Sequence, residues 1–342
     1  MTKRPPLAAL ASFGSLKAIL DVLREVDARP ARVAAETPFT LLFASQDLPF
    51  AEHLVSLMYR GRRSHELPPH RAAIATSLEA APALVKHVQW VGVLQRETNV
   101  PPLAVTRLQR ECELAHVPCL PLLLREGTLS LSERLSTRAA YVPLRDGVLD
   151  EAEAVRAIIS AVRAQRIADD LALARHLPAF REVVVRALIE EVAITNAVYS
   201  LGTGIFEVNP VTGLPLAVAD VVVLTKNQAL MVWKIALAMG MPADFRHVMP
   251  QLLGVIGGGL LFRQVARSLV GLLPGAGVLP KVAVAFAGTY AIGEAVYQWC
   301  AHEERLNRET LQLLWRQALA AGREAAQQLW RVRQSTRSSN RA

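Results

Sequence analysis

Phe39-Thr40-Leu41-Leu42-Phe43-Ala44, read on into Ser45-Gln46-Asp47-Leu48-Pro49, decides the fold class of the first half of this chain. An apolar run this short, without the three-to-four-residue recurrence of a helix face, reads as a strand buried on both sides. Four more runs of the same kind follow: Ala72–Thr76, Val88–Leu94, Cys119–Leu124 and Ala139–Leu144. Helix-like pieces lie between them, near Phe50–Tyr59, Leu103–Ala115 and Leu129–Leu135. Buried strands alternating with helices indicate a parallel sheet covered on both faces. The expectation is a small α/β domain over residues 36–148, GTPase-like or Rossmann-like but without a phosphate loop. Asp146-Gly147 is the turn that closes it.

The residues after the first strand also exclude chemistry. A phosphate loop needs glycines that let backbone N–H groups approach the phosphates, and a lysine to meet their charge. Ser45-Gln46-Asp47-Leu48-Pro49 has neither. Gly14-Ser15-Leu16-Lys17 precedes the strand, and Gly257-Gly258-Gly259 runs into an apolar helix. No GxGxxG or GxSxG is present. His65-Glu66 is followed by Leu67-Pro68-Pro69 and so cannot be a helical zinc motif, and His302-Glu303 lacks the second histidine. Adjacent acids such as Asp169-Asp170 and Glu190-Glu191 diverge on a helix and read as solvated charges. No catalytic residue, cofactor or metal is expected, and the chain is read as a non-enzyme.

Working outward, the chain is unusually apolar: 52% of its 342 residues are hydrophobic and the mean hydropathy is +0.26. That excludes disorder over most of the length. The excess is local. Val192–Ala301 carries ten charged residues in 110, against 58 in the other 232. The net charge of +8 is supplied mainly by arginine and is mixed with acids, so nucleic acid is not an expected partner. Cys112, Cys119 and Cys300 form no even framework, and Cys112 and Cys119 are seven apart, too far for a CxxC pair. They read as inert thiols in a reduced, cytoplasm-facing protein. Pro5 and Pro6 interrupt the N-terminal apolar stretch, which is too short for a secretory signal.

The expected organisation is an N-terminal helix in 1–35, the α/β domain in 36–148 and connecting helices in 149–191. An all-α hydrophobic domain over 192–301, an amphipathic Arg-rich helix over 302–334 and a disordered tail over 335–342 complete it. A single helix is expected from Asp150 to about His176, and a second from Ala179 to about Leu201. In the apolar block, Asp220–Met239 reads as a helix stopped by Gly240 and Pro242.

A spanning helix needs roughly 20 mostly apolar residues. Val282–Ala301 comes closest, interrupted by Glu294 alone. Ala283, Ala287, Ala291 and Ala295 form a small-residue ladder on it, and Gly254 and Gly258 form a GxxxG on the preceding stretch. Small residues at this spacing let two helices approach closely. The two stretches are expected to pair as a membrane-embedded or membrane-bound hairpin through the turn Pro274-Gly275-Ala276-Gly277. Arg263 and Arg267 would each cost about 2.5–3.5 kcal/mol near a bilayer centre, which favours a shallow or protein-covered helix. The competing reading is a buried hairpin in a soluble helical domain. The Arg-rich C-terminal helix fits an anionic lipid surface and fits packing on the rest of the chain equally well.

Asp220 and Gln228 stand eight residues apart on one stripe with Leu224, Met231 and Ile235, so the polar pair is expected to be buried. Asp220 also reads as the N-cap of its helix. These residues carry a resemblance. Leu214-Pro215, Asp220, Leu224-Thr225, Gln228, Met231, Ile235-Ala236 and Gly240 form its first part. Leu273-Pro274-Gly275-Ala276-Gly277 and Thr289-Tyr290-Ala291-Ile292-Gly293 form the rest. The pattern resembles the hydrophobic helical family catalogued as domain of unknown function 697, often found behind Era-like GTPase domains, over Val192–Ala301. The resemblance implies membrane association and an accessory or regulatory role without an established activity. It marks Pro215, Asp220, Gln228, Gly240, Pro274, Gly275, Gly277 and Gly293 as structural or interaction positions. GTP turnover is not implied, because the phosphate loop and an NKxD motif are missing.

The functional expectation is a non-enzymatic, membrane-associated accessory or interaction protein. The N-terminal domain and C-terminal tail are expected in the cytoplasm. Membrane lipid is the expected partner, with a protein partner or self-association beside it. The alternatives are a nucleotide-responsive regulator with a degenerate GTPase-like domain and a soluble dimerising helical protein.

Overall fold

Strand β1 (Leu41–Ser45) is buried at every position, as its unbroken apolar run requires. It lies inside a six-stranded sheet whose order is β2-β1-β3-β4-β5-β6. The other strands are β2 (Ala73–Ser77), β3 (Trp90–Arg96), β4 (Cys119–Glu126), β5 (Ala140–Arg145) and β6 (Val148–Leu149). The computed structural model describes residues 26–62, 72–96, 102–127, 130, 132, 139–203, 213–244, 248, 278–302 and 306–339.

β1 pairs in parallel with β2, placing Leu41 beside Ala73, and with β3, placing Leu41 beside Trp90. β3–β4 and β4–β5 are also parallel, and β6 alone returns antiparallel to β5. Asp146 and Gly147 both take positive φ (52° and 76°) in that return, the conformation a two-residue hairpin turn demands. The expected closing turn is therefore present, with one short strand beyond it that the sequence reading did not contain.

Alternation along the strands builds two layers. Leu42, Ala44, Val91 and Val93 share a cluster with Val105, Leu108 and Cys112 of helix α4 (Leu103–Ala115). On β1 and β3, Phe43 and Trp90 meet edge to face at 5.5 Å between ring centroids. Gly92 makes room for that indole: a Cβ there would come within 2.7 Å of Trp90 Cζ3. Helices α1 (Arg29–Glu36), α2 (Leu48–Met58) and α3 (Ala81–Leu84) precede α4. The expected piece Leu129–Leu135 lies outside the described residues, apart from 130 and 132.

One long helix was expected from Asp150 to His176, and the structure has two. α5 (Glu151–Ala164) is capped by Asp150, which accepts from Glu153 N–H at 3.3 Å. The chain breaks at Arg166 (φ 50°) and restarts as α6 (Asp170–His176). Asp169 caps α6, accepting from Leu171 N–H at 2.8 Å. Asp170 takes a two-pronged ion pair from Arg163 Nη2 (2.7 Å) and Nε (3.1 Å). Asp169 thus starts the second helix and Asp170 pairs with the end of the first; both stay in contact with solvent, as expected, but they do not lie side by side within one helix.

The chain divides into two compact units. One is Val33–Val184, so α5 and α6 belong to the α/β unit and are not connectors. The other joins Met1–Arg32 to Val185–Ala342. Within it, Trp233 Nε1 donates to the Ala28 carbonyl at 3.3 Å, tying the N-terminal segment to the helical part. Of the expected N-terminal helix in 1–35, residues 1–25 lie outside the described residues, 26–28 are not helical, and α1 begins at Arg29.

The helical unit contains α7 (Arg181–Thr203, crossing from the first unit), α8 (Gly213–Ala238), α9 (Val278–His302) and α10 (Arg308–Ser339). α8 starts seven residues before Asp220, so Asp220 lies inside the helix and is not its N-cap. α8 ends as expected: Gly240 takes φ 81°, its N–H bonds Leu237 O (3.0 Å), and Met241 N–H bonds Ala236 O (3.0 Å). That is the double closure that favours glycine at this place. α10 continues through Ser339, so the start of the expected disordered tail is helical.

The expectation that Val282–Ala301 comes close to a membrane-spanning helix is corrected. Among the described residues, no helix is long and apolar enough to cross a membrane. The reason lies in the composition of α9, where six alanines stand among Pro280, Gly288, Thr289, Gly293, Gln298 and the charged Lys281 and Glu294. Alanine contributes much less to membrane transfer than leucine or isoleucine. Among the described residues, the helix that meets the alanine ladder is α10. Among the described residues, α9 packs most extensively against α10. Gly322 of α10 faces Ala283 and Ala287 so closely that a Cβ would overlap the Ala283 carbonyl. Gly254, Gly258 and the turn Pro274-Gly275-Ala276-Gly277 lie outside the described residues.

Candidate functional site

In a doubly wound sheet, ligands bind beyond the carboxyl ends of the strands where the strand order reverses. Here β2 and β3 flank β1, so the reversal falls between β1 and β3 and is bordered by the β1–α2 turn. The geometry of that turn is specific. Ser45 is buried, and its Oγ accepts from Asp47 N–H at 3.0 Å. Asp47 is the N-cap of α2, its Oδ1 accepting from Phe50 N–H at 3.2 Å. Pro49 occupies the first turn and brings no N–H of its own. A phosphate would need those same helix N-terminal N–H groups. Here the Asp47 carboxylate already takes one of them, Phe50 N–H, and its charge has the same sign as the ligand.

The helical unit contains the second constellation. Thr289, Asn196 and Gln228 are buried, the first two completely. Thr289 Oγ1 donates to the Ala285 carbonyl (2.9 Å) and accepts from Asn196 Nδ2 (2.8 Å) and Gln228 Nε2 (3.2 Å). A hydroxyl offers one donor and two acceptor lone pairs, so Thr289 is used to capacity. Asn227 Nδ2 donates in turn to Asn196 Oδ1 at 2.7 Å. The knot draws together α7, α8 and α9 and contains no group that titrates near neutral pH. It can hold three helices in register, but it cannot move a proton as an acid or base.

The residues marked from sequence divide accordingly. Gln228 is in the knot, and the stripe Leu224, Met231 and Ile235 is buried beside it as expected. Gly293 lies where Ile189 of α7 packs on α9, and a Cβ there would meet Ile189 Cγ1 at 2.7 Å. Gly240 is the cap of α8. Pro215 and Asp220 are on the α8 backbone, and Pro274, Gly275 and Gly277 are outside the described residues. Ala283, Ala287, Ala291 and Ala295 are all buried. Sequence reasoning missed Asn196, Asn227 and the hydroxyl of Thr289 as one cluster. The available signal was a polar residue on the apolar face of each helix. It also missed Gly322.

Among the described residues, no group of three His, Cys, Asp or Glu side chains could hold a metal ion. Comparison with family models, curated proteins and solved structures finds no match to this chain.

Proposed function

We propose that this chain is a non-enzymatic accessory or interaction protein, built from an α/β unit that does not bind nucleotide and a helical unit that carries the family-like pattern. The observation behind this reading is Asp47, whose carboxylate caps the helix N-terminus at the strand-order reversal. Equilibrium dialysis against magnesium GTP, GDP and ATP tests it. No retention of any of the three is expected, and micromolar binding of one would overturn it.

That binding would favour the second reading, a nucleotide-responsive regulator with a degenerate GTPase-like domain. The parallel strand order, with its reversal between β1 and β3, supports it. The kinship with domain of unknown function 697 belongs to the same proposal and rests on the residue pattern alone.

Lipid enters the proposal as contact at the surface. The apolar side of α10 is used in packing, since Leu311, Leu314, Ala318 and Ala326 are buried. Arg316, Arg323 and Arg331 stand exposed and suit an anionic surface. Flotation with phosphatidylserine vesicles that weakens with added salt would support this contact, and no flotation at low salt would remove it. Self-association is supported by α7, where Ile194 and Val198 are 40% and 47% exposed one turn apart. A monomer across the full concentration range in sedimentation would remove that part.

A further inference from the structure

Two exposed helix faces of this chain carry the same spacing. On α4, Leu103, Arg107, Arg110 and Leu114 recur at intervals of four, three and four residues, which places them on one face. All four are exposed, the two leucines by 86% and 69%. On α7, Val183, Ala187, Glu190 and Ile194 recur at the same intervals, and Val198 extends the row by one turn. These five are exposed as well, with Glu191 beside them. The opposite sides of both helices are already used. Val105, Leu108 and Cys112 of α4 pack in the cluster under the sheet, and Val184, Val185, Leu188 and Ile189 of α7 are buried. Each helix therefore has a second apolar row, facing solvent, that its own packing does not consume.

Between their apolar ends the two rows carry opposite charge. Arg107 and Arg110 stand in the middle of the α4 row, and Glu190 stands in the middle of the α7 row. Among the described residues, none of Arg107, Arg110, Glu190 and Glu191 forms an ion pair, although Glu111 follows Arg107 by four residues. Glu111 and Glu113 stand roughly a quarter turn to either side of the α4 row. Arg186, one turn before Glu190, lies over the Tyr297 ring at 5.9 Å.

We propose, building on the self-association reading, that the α4 face of one copy docks on the α7 face of a second copy of this chain. The shared spacing lets the rows match in either direction. Laid parallel, Leu103 meets Val183, Arg110 meets Glu190 and Leu114 meets Ile194. Laid antiparallel, Leu103 meets Ile194, Arg107 meets Glu190 and Leu114 meets Val183. In both cases apolar contacts about 16 Å apart close over an arginine–glutamate pair. Pairing of like faces is disfavoured: α4 on α4 would oppose arginine to arginine, and α7 on α7 would oppose glutamate to glutamate. Two different faces that fit one another join head to tail, so the contact either closes reciprocally as a dimer or continues into a longer assembly.

Sedimentation equilibrium of the full-length chain at low salt tests the pairing by charge exchange. The wild-type chain is expected to associate, less so as salt is added. Arg107→Glu with Arg110→Glu is expected to weaken association about tenfold or more, and so is Glu190→Arg with Glu191→Arg. An equimolar mixture of these two variants is expected to associate in the wild-type range, because each α4 then meets an α7 of opposite charge. One chain carrying all four changes is expected to do the same. A wild-type chain that stays monomeric would overturn both the pairing and the self-association reading. A chain that associates with a constant unmoved by either exchange, or whose loss is not relieved by mixing, would overturn the pairing alone and leave self-association through α7 in place. Should an exchanged chain fail to fold, the alanine cycle of Arg107→Ala with Arg110→Ala against Glu190→Ala reads the same contact: coupling supports it, and strict additivity would overturn it.

Discussion

The two units of this chain solve the same problem by different means. In Val33–Val184, neighbouring elements are joined by main-chain hydrogen bonds across five strand pairings, and register follows from the ladder itself. Its polar side chains work at the ends of elements, where Asp47, Asp150 and Asp169 each cap a helix. The helices of the other unit use their main-chain bonds internally and have none left to specify a neighbour. There the register is set by side chains: the knot of Asn196, Asn227, Gln228 and Thr289, and the glycine contacts at Gly293 and Gly322. An α/β sheet therefore tolerates the loss of a polar side chain better than a bundle whose specificity resides in a few of them.

That contrast can be broken most directly at Thr289. Thr289→Val keeps the shape but leaves two buried amide donors without their acceptor, at a cost of about 2–5 kcal/mol. Urea unfolding should show it as a lower midpoint, and Thr289→Ser should recover most of the loss. A cost below about 1 kcal/mol for the valine variant would mean that the knot does not set helix register. Gly322→Val comes next. Its side chain meets the Ala283 backbone, which cannot rotate away, and overpacking of this kind costs about 1–3 kcal/mol. Hydrogen exchange should report the loss in α9 and α10, with the sheet strands unchanged.

In the α/β unit the expected effects are smaller. Asp47→Ala removes one cap and should cost about 1 kcal/mol. It should also speed exchange of the Phe50 amide without unfolding β1. Arg163→Met breaks an ion pair whose members are 29% and 44% exposed, and should cost less than about 1 kcal/mol by thermal unfolding. If either change proved as damaging as Thr289→Val, the contrast between the units would fail.

Much of the fold was legible in the sequence. The five apolar runs became β1 to β5 within about two residues of their expected ends, and Leu103–Ala115 and the Gly240 stop fell where expected. These signals are local: run length, turn chemistry and capping act within a few residues. The break between α5 and α6 was misread because no proline or glycine marks it. Arg166 takes φ 50°, an uncommon state for arginine, while Asp169 and Asp170 tie down the two helix ends. The contact between α9 and α10 was missed because small-residue spacing shows that a helix is approached closely without showing by what. Gly322, the residue that meets Ala283, continues a stripe of small residues with Ala318 and Ala326 at four-residue spacing, and the Arg-rich composition of its helix drew attention away from that stripe.

By itself, then, the sequence determined the alternating α/β half, the missing phosphate loop and the charge-poor helical block, because each is written in residues close together in the chain. The tertiary structure decided which polar residues meet and which described helix packs on the alanine ladder. Those outcomes depend on which surfaces end up opposed, and no local pattern carries that information.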